Sequence, residues 1–122
     1  MLAAKPPVGK RSLRCAKIRK LSEEEEREIM KMIFVRHGET EWNRTKRYQG
    51  QAQIPLNERG KEQAHRSGER LKRRNLVALY ASDTARAWET ARIIGEHIGL
   101  QPQPVAELRE IDVGQWEGLT TD

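Results

Sequence analysis

The chain has 122 residues, enough for a single domain with one core, and its hydrophobic fraction of 36% sets it on the polar side for a compact globule. Its net charge of +5 does not make it a general binder of polyanions, because the excess is local: residues 1–31 carry nine Lys/Arg against five Glu, whereas residues 32–122 carry fourteen basic against thirteen acidic side chains. The single cysteine, Cys15, excludes an intrachain disulfide and fits a reducing, cytoplasmic location, and no apolar run approaches the roughly 18 residues that a membrane span requires.

From the N-terminus, a basic stretch with Pro6, Pro7 and Gly9 leads into "LSEEEEREIMK". Its basic residues are scattered, without the apolar centre of about 7–15 residues of a secretory signal. A segment with no acidic residue before Glu23 shares that feature with mitochondrial transit peptides. The four consecutive glutamates predict a solvated helix or coil, and residues 1–31 are expected to form an extension of low order. A run of Glu codons ahead of a methionine also resembles a translated ribosome-binding site, which would make Met30 or Met32 the true start.

From Met32 the chain alternates strand, loop and helix, the rhythm of an α/β fold. Met32 to Val35 is an apolar run of the kind buried on both faces of a parallel sheet. A polar loop runs through Pro55, and Asn57 is placed to cap a helix over residues 58–74 whose stripe is Ala64, Gly68 and Leu71. A second strand is predicted from Leu76 to Ala81. Ser82 or Asp83 then caps a second helix, with Ala87, Ala91, Ile94 and Ile98 on its buried face and Gly99 at its end. Pro102 and Pro104 leave room only for a short third strand near Val105. The final "GLTTD" reads as a helix start with no helix after it.

Three loop clusters carry chemistry, and two follow strands, where ligands of parallel sheets bind. In "RHGET", Arg36 presents a planar fork that matches phosphate oxygens, and His37 titrates near neutrality at roughly 6.5 when unperturbed. Gly38 permits a sharp turn or close approach, and Asn43 can donate to a further phosphate oxygen. In "YASDTARAWETA", Arg86 falls in the first turn of a helix, where a cation opposes the dipole by about 0.3–1 kcal/mol unless an anion binds beside it. In "ELREIDVGQWEG", any of Glu107, Glu110, Asp112 and Glu117 can protonate a leaving oxygen, and their residue types do not choose among them. A nucleophile, an anion clamp and an acid together are what phosphoryl transfer through a covalent intermediate requires.

"FVRHGETEWN", "RYQGQAQIPLNERGKEQA", "LYASDTARAWETA" and "LREIDVGQWEG", in that order over residues 32–122, resemble the histidine phosphatase superfamily, the phosphoglycerate-mutase-like group. The resemblance implies a three-layer α/β/α sandwich around a mostly parallel sheet, of which residues 32–122 are the N-terminal portion. It implies phosphoryl transfer to His37 on Nε2, a phosphate clamp of Arg36 and Arg86, and Glu110 as proton donor. It places Asn43 on the phosphate, and Gly38, Glu39, Thr40, Gln49 and Gly50 among the substrate-binding positions. Such chemistry needs no cofactor, and no Cys/His pair stands at metal-ligand spacing.

The family also carries a second core histidine after a late apolar strand. His65 and His97 lie in predicted helices instead and read as helix-surface residues, so the chain is expected to be a fragment of weak or no activity. Within the superfamily "GQWEG" resembles the phosphatase branches, which implies hydrolysis of a small phosphorylated metabolite. The alternative is a bisphosphoglycerate-dependent phosphoglycerate mutase. A second alternative is a non-catalytic fragment whose basic tail binds anions. Nucleic acid is not the expected partner, since no aromatic precedes Phe34; neither is a membrane.

Overall fold

Asn57 stops the polar loop in extended backbone, and its side-chain oxygen accepts the Gly60 N–H at 2.8 Å, starting the helix Glu58–Leu71 where the capping pattern places it. The structure is a computed structural model that describes residues 2–4 and 30–122. In chain order its elements are β1 (Leu2–Ala4), β2 (Met32–Phe34), α1 (Glu41–Arg44), α2 (Glu58–Leu71), β3 (Ala78–Ala81), α3 (Ala85–Ile98) and β4 (Pro102–Pro104). A 3₁₀ turn, Lys72–Arg74, extends α2, so the predicted helix to residue 74 ends in tighter winding. Two more 3₁₀ turns, Ala106–Leu108 and Gly114–Trp116, shape the C-terminal loop.

The four strands form one sheet in the order β2-β1-β3-β4. β1 is antiparallel to both neighbours, pairing Leu2 with Phe34 and with Tyr80, while β3 and β4 are parallel, pairing Leu79 with Pro102. Consequently β2, β3 and β4 share one direction, as an α/β fold predicts, and β1 opposes them. The strand at Leu2–Ala4 falls inside the segment expected to have low order; apart from Met30 and Lys31 the remainder of that segment, with the basic tail and the glutamate run, lies outside the described residues. β4 sits one step earlier than Val105 and is an edge strand, where prolines cost no ladder bond. The Val105 N–H still extends the pairing to the Ala81 carbonyl at 2.8 Å.

α3 packs against β3 and β4, and α2 packs on α3. On α2 the buried face is Gly60, Ala64, Gly68 and Leu71, and on α3 it includes Ala87, Ala91 and Ile94. Ile98, the last member of the predicted stripe, is only half-buried. Leu79 and Ile94 are fully enclosed between sheet and helix, each worth about 1.5–3 kcal/mol of transfer free energy. Small residues on α2 bring the helices close: a Cβ on Gly68 would meet the His97 ring at 2.5 Å.

Two expectations are corrected. Met32 and Phe34 are exposed, Phe34 by 76%, because among the described residues β2 is the edge strand and pairs only with β1. The N-cap of α3 is Thr84 rather than Ser82 or Asp83, and it makes no side-chain cap bond because its hydroxyl engages Ser82 Oγ at 3.1 Å. Gln53 substitutes for the cap, its Oε1 accepting the Ala85 N–H at 2.7 Å. Among the described residues no helix is long and apolar enough to cross a membrane.

Candidate active site

Where β2 and β3 end, the chain turns through Arg36-His37 and Ser82-Asp83-Thr84, and a cleft of 360 Å³ opens between those turns. Arg36, His37, Ser82, Thr84, Arg86 and Glu110 line it. Residues separated by more than seventy positions thus meet at one point, because the shared direction of β2 and β3 puts both following loops on the same side of the sheet.

His37 is held in one tautomer. Its Nδ1 lies 2.7 Å from the Gly38 carbonyl oxygen, which can only accept, so Nδ1 carries the proton and Nε2 keeps its lone pair when the ring is neutral. Burial lowers its pKa below the ordinary histidine value. The Gly38 bond opposes that shift, the Arg86 and Arg36 guanidinium groups reinforce it, and Glu110 weakly opposes it. The ring is therefore neutral and nucleophilic further into the acid range than an exposed histidine.

The loop carrying His37 is pinned to α3. The Gly38 N–H donates to Thr90 Oγ1 at 3.0 Å, and the Thr90 hydroxyl donates to the Arg86 carbonyl at 2.7 Å. Arg86 itself is 2% exposed, and its guanidinium donates to the carbonyls of Gly50 at 2.6 Å and Ala52 at 3.1 Å. Those bonds leave further N–H donors on the fork for an anion in the cleft. Burial lowers the Arg86 pKa, opposed by the negative charges of Glu110 and Glu117.

Glu110 reaches the cleft on the loop between the two C-terminal 3₁₀ turns. A bidentate pair from Arg109 to Asp83, with Nε 2.6 Å from Oδ1, fastens that loop to the start of α3. The Gln51 amide adds a bond to the Glu110 carbonyl at 3.3 Å.

The remaining sequence-derived positions build the walls rather than line the cleft. Thr40 is fully buried; its hydroxyl donates to Gln49 Oε1 at 2.7 Å and accepts the Asn43 N–H, while Asn43 Oδ1 accepts the Thr40 N–H at 3.0 Å. Together they form the capping box of α1. The Glu39 carboxylate turns toward α2, accepting from Asn57 Nδ2 at 2.9 Å. Gly50 has φ +49, and a Cβ there would meet Val113 at 2.7 Å, so glycine alone fits.

Ser82 and Thr84, both buried, belong to the cleft wall although sequence reasoning singled them out only as helix openers. Their position directly after an apolar strand was the available signal. His65 and His97 do not reach the cleft. They bond to each other at 2.9 Å across α2 and α3, and His97 Nδ1 donates to Glu69 Oε1 at 2.9 Å. His97 is therefore an interface residue rather than a surface one. No group of three or more metal-ligating side chains occurs among the described residues.

An imidazole and two guanidinium groups thus meet in one cleft at the strand ends of an α/β sheet. The sequence profile of the histidine phosphatase superfamily (branch 1) matches residues 32–122, and the chain belongs to that superfamily. It is 39% identical over 94 residues to a probable phosphoglycerate mutase GpmB of Enterobacter sp. (strain 638), covering 77% of this chain and 44% of that protein. A mycobacterial glucosyl-3-phosphoglycerate phosphatase solved with VO3 is 40% identical with a TM-score of 0.68, covering 70% of this chain and 42% of the other. A phosphoserine phosphatase of Entamoeba histolytica solved with 3-phosphoglyceric acid is 36% identical with a TM-score of 0.63, over 69% and 41%. The chain thus spans about two-fifths of the length of these relatives.

Proposed function

We propose that residues 32–122 are the nucleophile-bearing portion of a phosphomonoester hydrolase that works through phosphohistidine on a small phosphorylated metabolite. The observation that carries this reading is the Nδ1 bond of His37 to the Gly38 carbonyl, which leaves Nε2 unprotonated on a ring that lines the same cleft as two guanidinium groups. In the first step the Nε2 lone pair attacks phosphorus while the ester P–O bond breaks, and Glu110, entering as the acid, gives its proton to the departing oxygen. In the second step water attacks phosphorus, its proton passes to the Glu110 carboxylate, and the P–N bond breaks to release phosphate. Arg36 and Arg86 hold the non-bridging oxygens throughout and offset the charge that develops on them.

Hydrolysis is favoured over mutase chemistry by the "GQWEG" loop and by the two solved relatives, both named as phosphatases. The mutase reading draws on the name of the curated relative. A reducing, cytoplasmic setting belongs to the same proposal, on the strength of the lone Cys15.

Turnover by the 122-residue chain itself is expected to be feeble. The cleft holds one imidazole among its described lining residues, and loss of a single oxyanion donor in such sites costs on the order of 10²–10³ in rate. Incubation with an aryl phosphate should leave acid-labile phosphate on residue 37, and slow release of inorganic phosphate without isomerisation of phosphoglycerate. Equal labelling of a His37→Gln variant would sink the assignment; bisphosphoglycerate-primed isomerisation would transfer it to the mutase class.

A further inference from the structure

The opposite end of the sheet carries a second cationic site. A concavity of 730 Å³ is lined by Glu69, Arg70, Lys72, Arg73 and Arg74, and another of 550 Å³ shares Arg73 and Arg74 and adds Lys31. Met32, Ile33 and Leu76 give the second an apolar floor. Lys31 precedes β2 and Leu76 precedes β3, so this site lies where the strands begin, whereas the His37 cleft lies where they finish.

The ordinary role of basic residues here is to complement the C-terminal end of α2, which carries roughly half a negative charge. One cation suffices for that, and four are present against one carboxylate. Lys72 pairs with Glu69 at 2.7 Å, but Arg70, Arg73 and Arg74 have no carboxylate within ion-pair distance among the described residues. Lys72, Arg73 and Arg74 form the 3₁₀ turn, and Asn75, in the left-handed region with φ 48, ends it.

We propose that these two concavities, which share Arg73 and Arg74, bind a linear inorganic oligophosphate, independently of the His37 cleft. Guanidinium forks match successive phosphate groups, and a slender chain can lie along both hollows across the shared Arg73 and Arg74. No aromatic is among the described residues that line either hollow, so none of them stacks on a base.

The test is titration of the whole 122-residue chain with medium-length inorganic polyphosphate between about 50 and 200 mM salt. The Arg73→Ser/Arg74→Ser variant should bind on the order of tenfold more weakly, with the slope of log K against log salt reduced by roughly 1.4. Arg73→Lys/Arg74→Lys, which keeps charge but loses the fork, should fall between the two. His37→Gln should bind as the parent does, whatever becomes of its chemistry. Undiminished binding by the serine variant would place the polyanion on the basic N-terminal segment and overturn the proposal. Loss in His37→Gln, or tighter binding of a DNA duplex than of polyphosphate, would overturn it equally.

Discussion

Gly38 and Gly60 meet backbone to backbone: a Cβ on Gly38 would stand 2.3 Å from the Gly60 carbonyl oxygen, and one on Gly60 would stand 2.1 Å from that of Glu39. The loop that presents His37 is thereby pressed against the first turn of α2, with no side chain between. Alanine is the better helix former by about 1 kcal/mol, so Gly60→Ala would stabilise an isolated α2. Here the clash is with backbone, which cannot rotate away, and the net effect should be a loss of about 1–3 kcal/mol. Urea unfolding checks this; an unchanged or raised midpoint would show that the loop yields.

Thr90 is 1% exposed and supplies the acceptor for the Gly38 N–H. Valine has nearly the same shape but no oxygen. Thr90→Val should therefore cost about 1–3 kcal/mol by leaving a buried N–H unpaired, while Thr90→Ser should cost much less. The same unfolding measurement separates the two, and equal losses would mean that Thr90 acts by packing alone.

The charges around His37 make its titration a directional test. Arg36 and Arg86 lower its pKa and Glu110 raises it, after burial, which lowers it most. Removing a cation should move the midpoint up in Arg36→Gln, and removing the carboxylate should move it down in Glu110→Gln. Proton NMR of the imidazole reads this without needing turnover. A shift of the wrong sign in either variant would place that side chain elsewhere.

Asp83 and Arg109 join the loop bearing Glu110 to the start of α3, and the pair holds the Asp83 carboxyl below the usual carboxylate range. Since both ends are partly exposed, Asp83→Asn should change global stability little. Amide exchange over residues 106–119 should instead accelerate, because the loop loses a fastening rather than a core contact. Unaltered exchange there would assign the positioning of Glu110 to the Gln51 bond alone.

Much of this was legible in residue order. The capping residue Asn57, the stripe Ala64, Gly68 and Leu71, and the left-handed Gly99 obey local rules that packing did not override. Arg36, His37 and Arg86 were legible because they follow strands, and loops after strands of one direction converge; Glu110 was singled out from the four carboxylates of its loop only by the family resemblance. The exposure of Phe34 was illegible, since an apolar run does not say how many neighbours its strand will have. So was the pairing of His65 with His97, which depends on how α2 and α3 are rotated about their axes. The N-cap of α3 was misplaced because Ser82 and Thr84 satisfy each other, a contest between equally suitable hydroxyls that spacing cannot decide.

The three residues of β1 are the only described strand that touches β2, and they also bridge it to β3. Leu2–Ala4 is thus a splint across the middle of the sheet. Deleting those three residues would act on the splint and so on the strand that leads into His37, although the two segments lie some thirty positions apart in sequence.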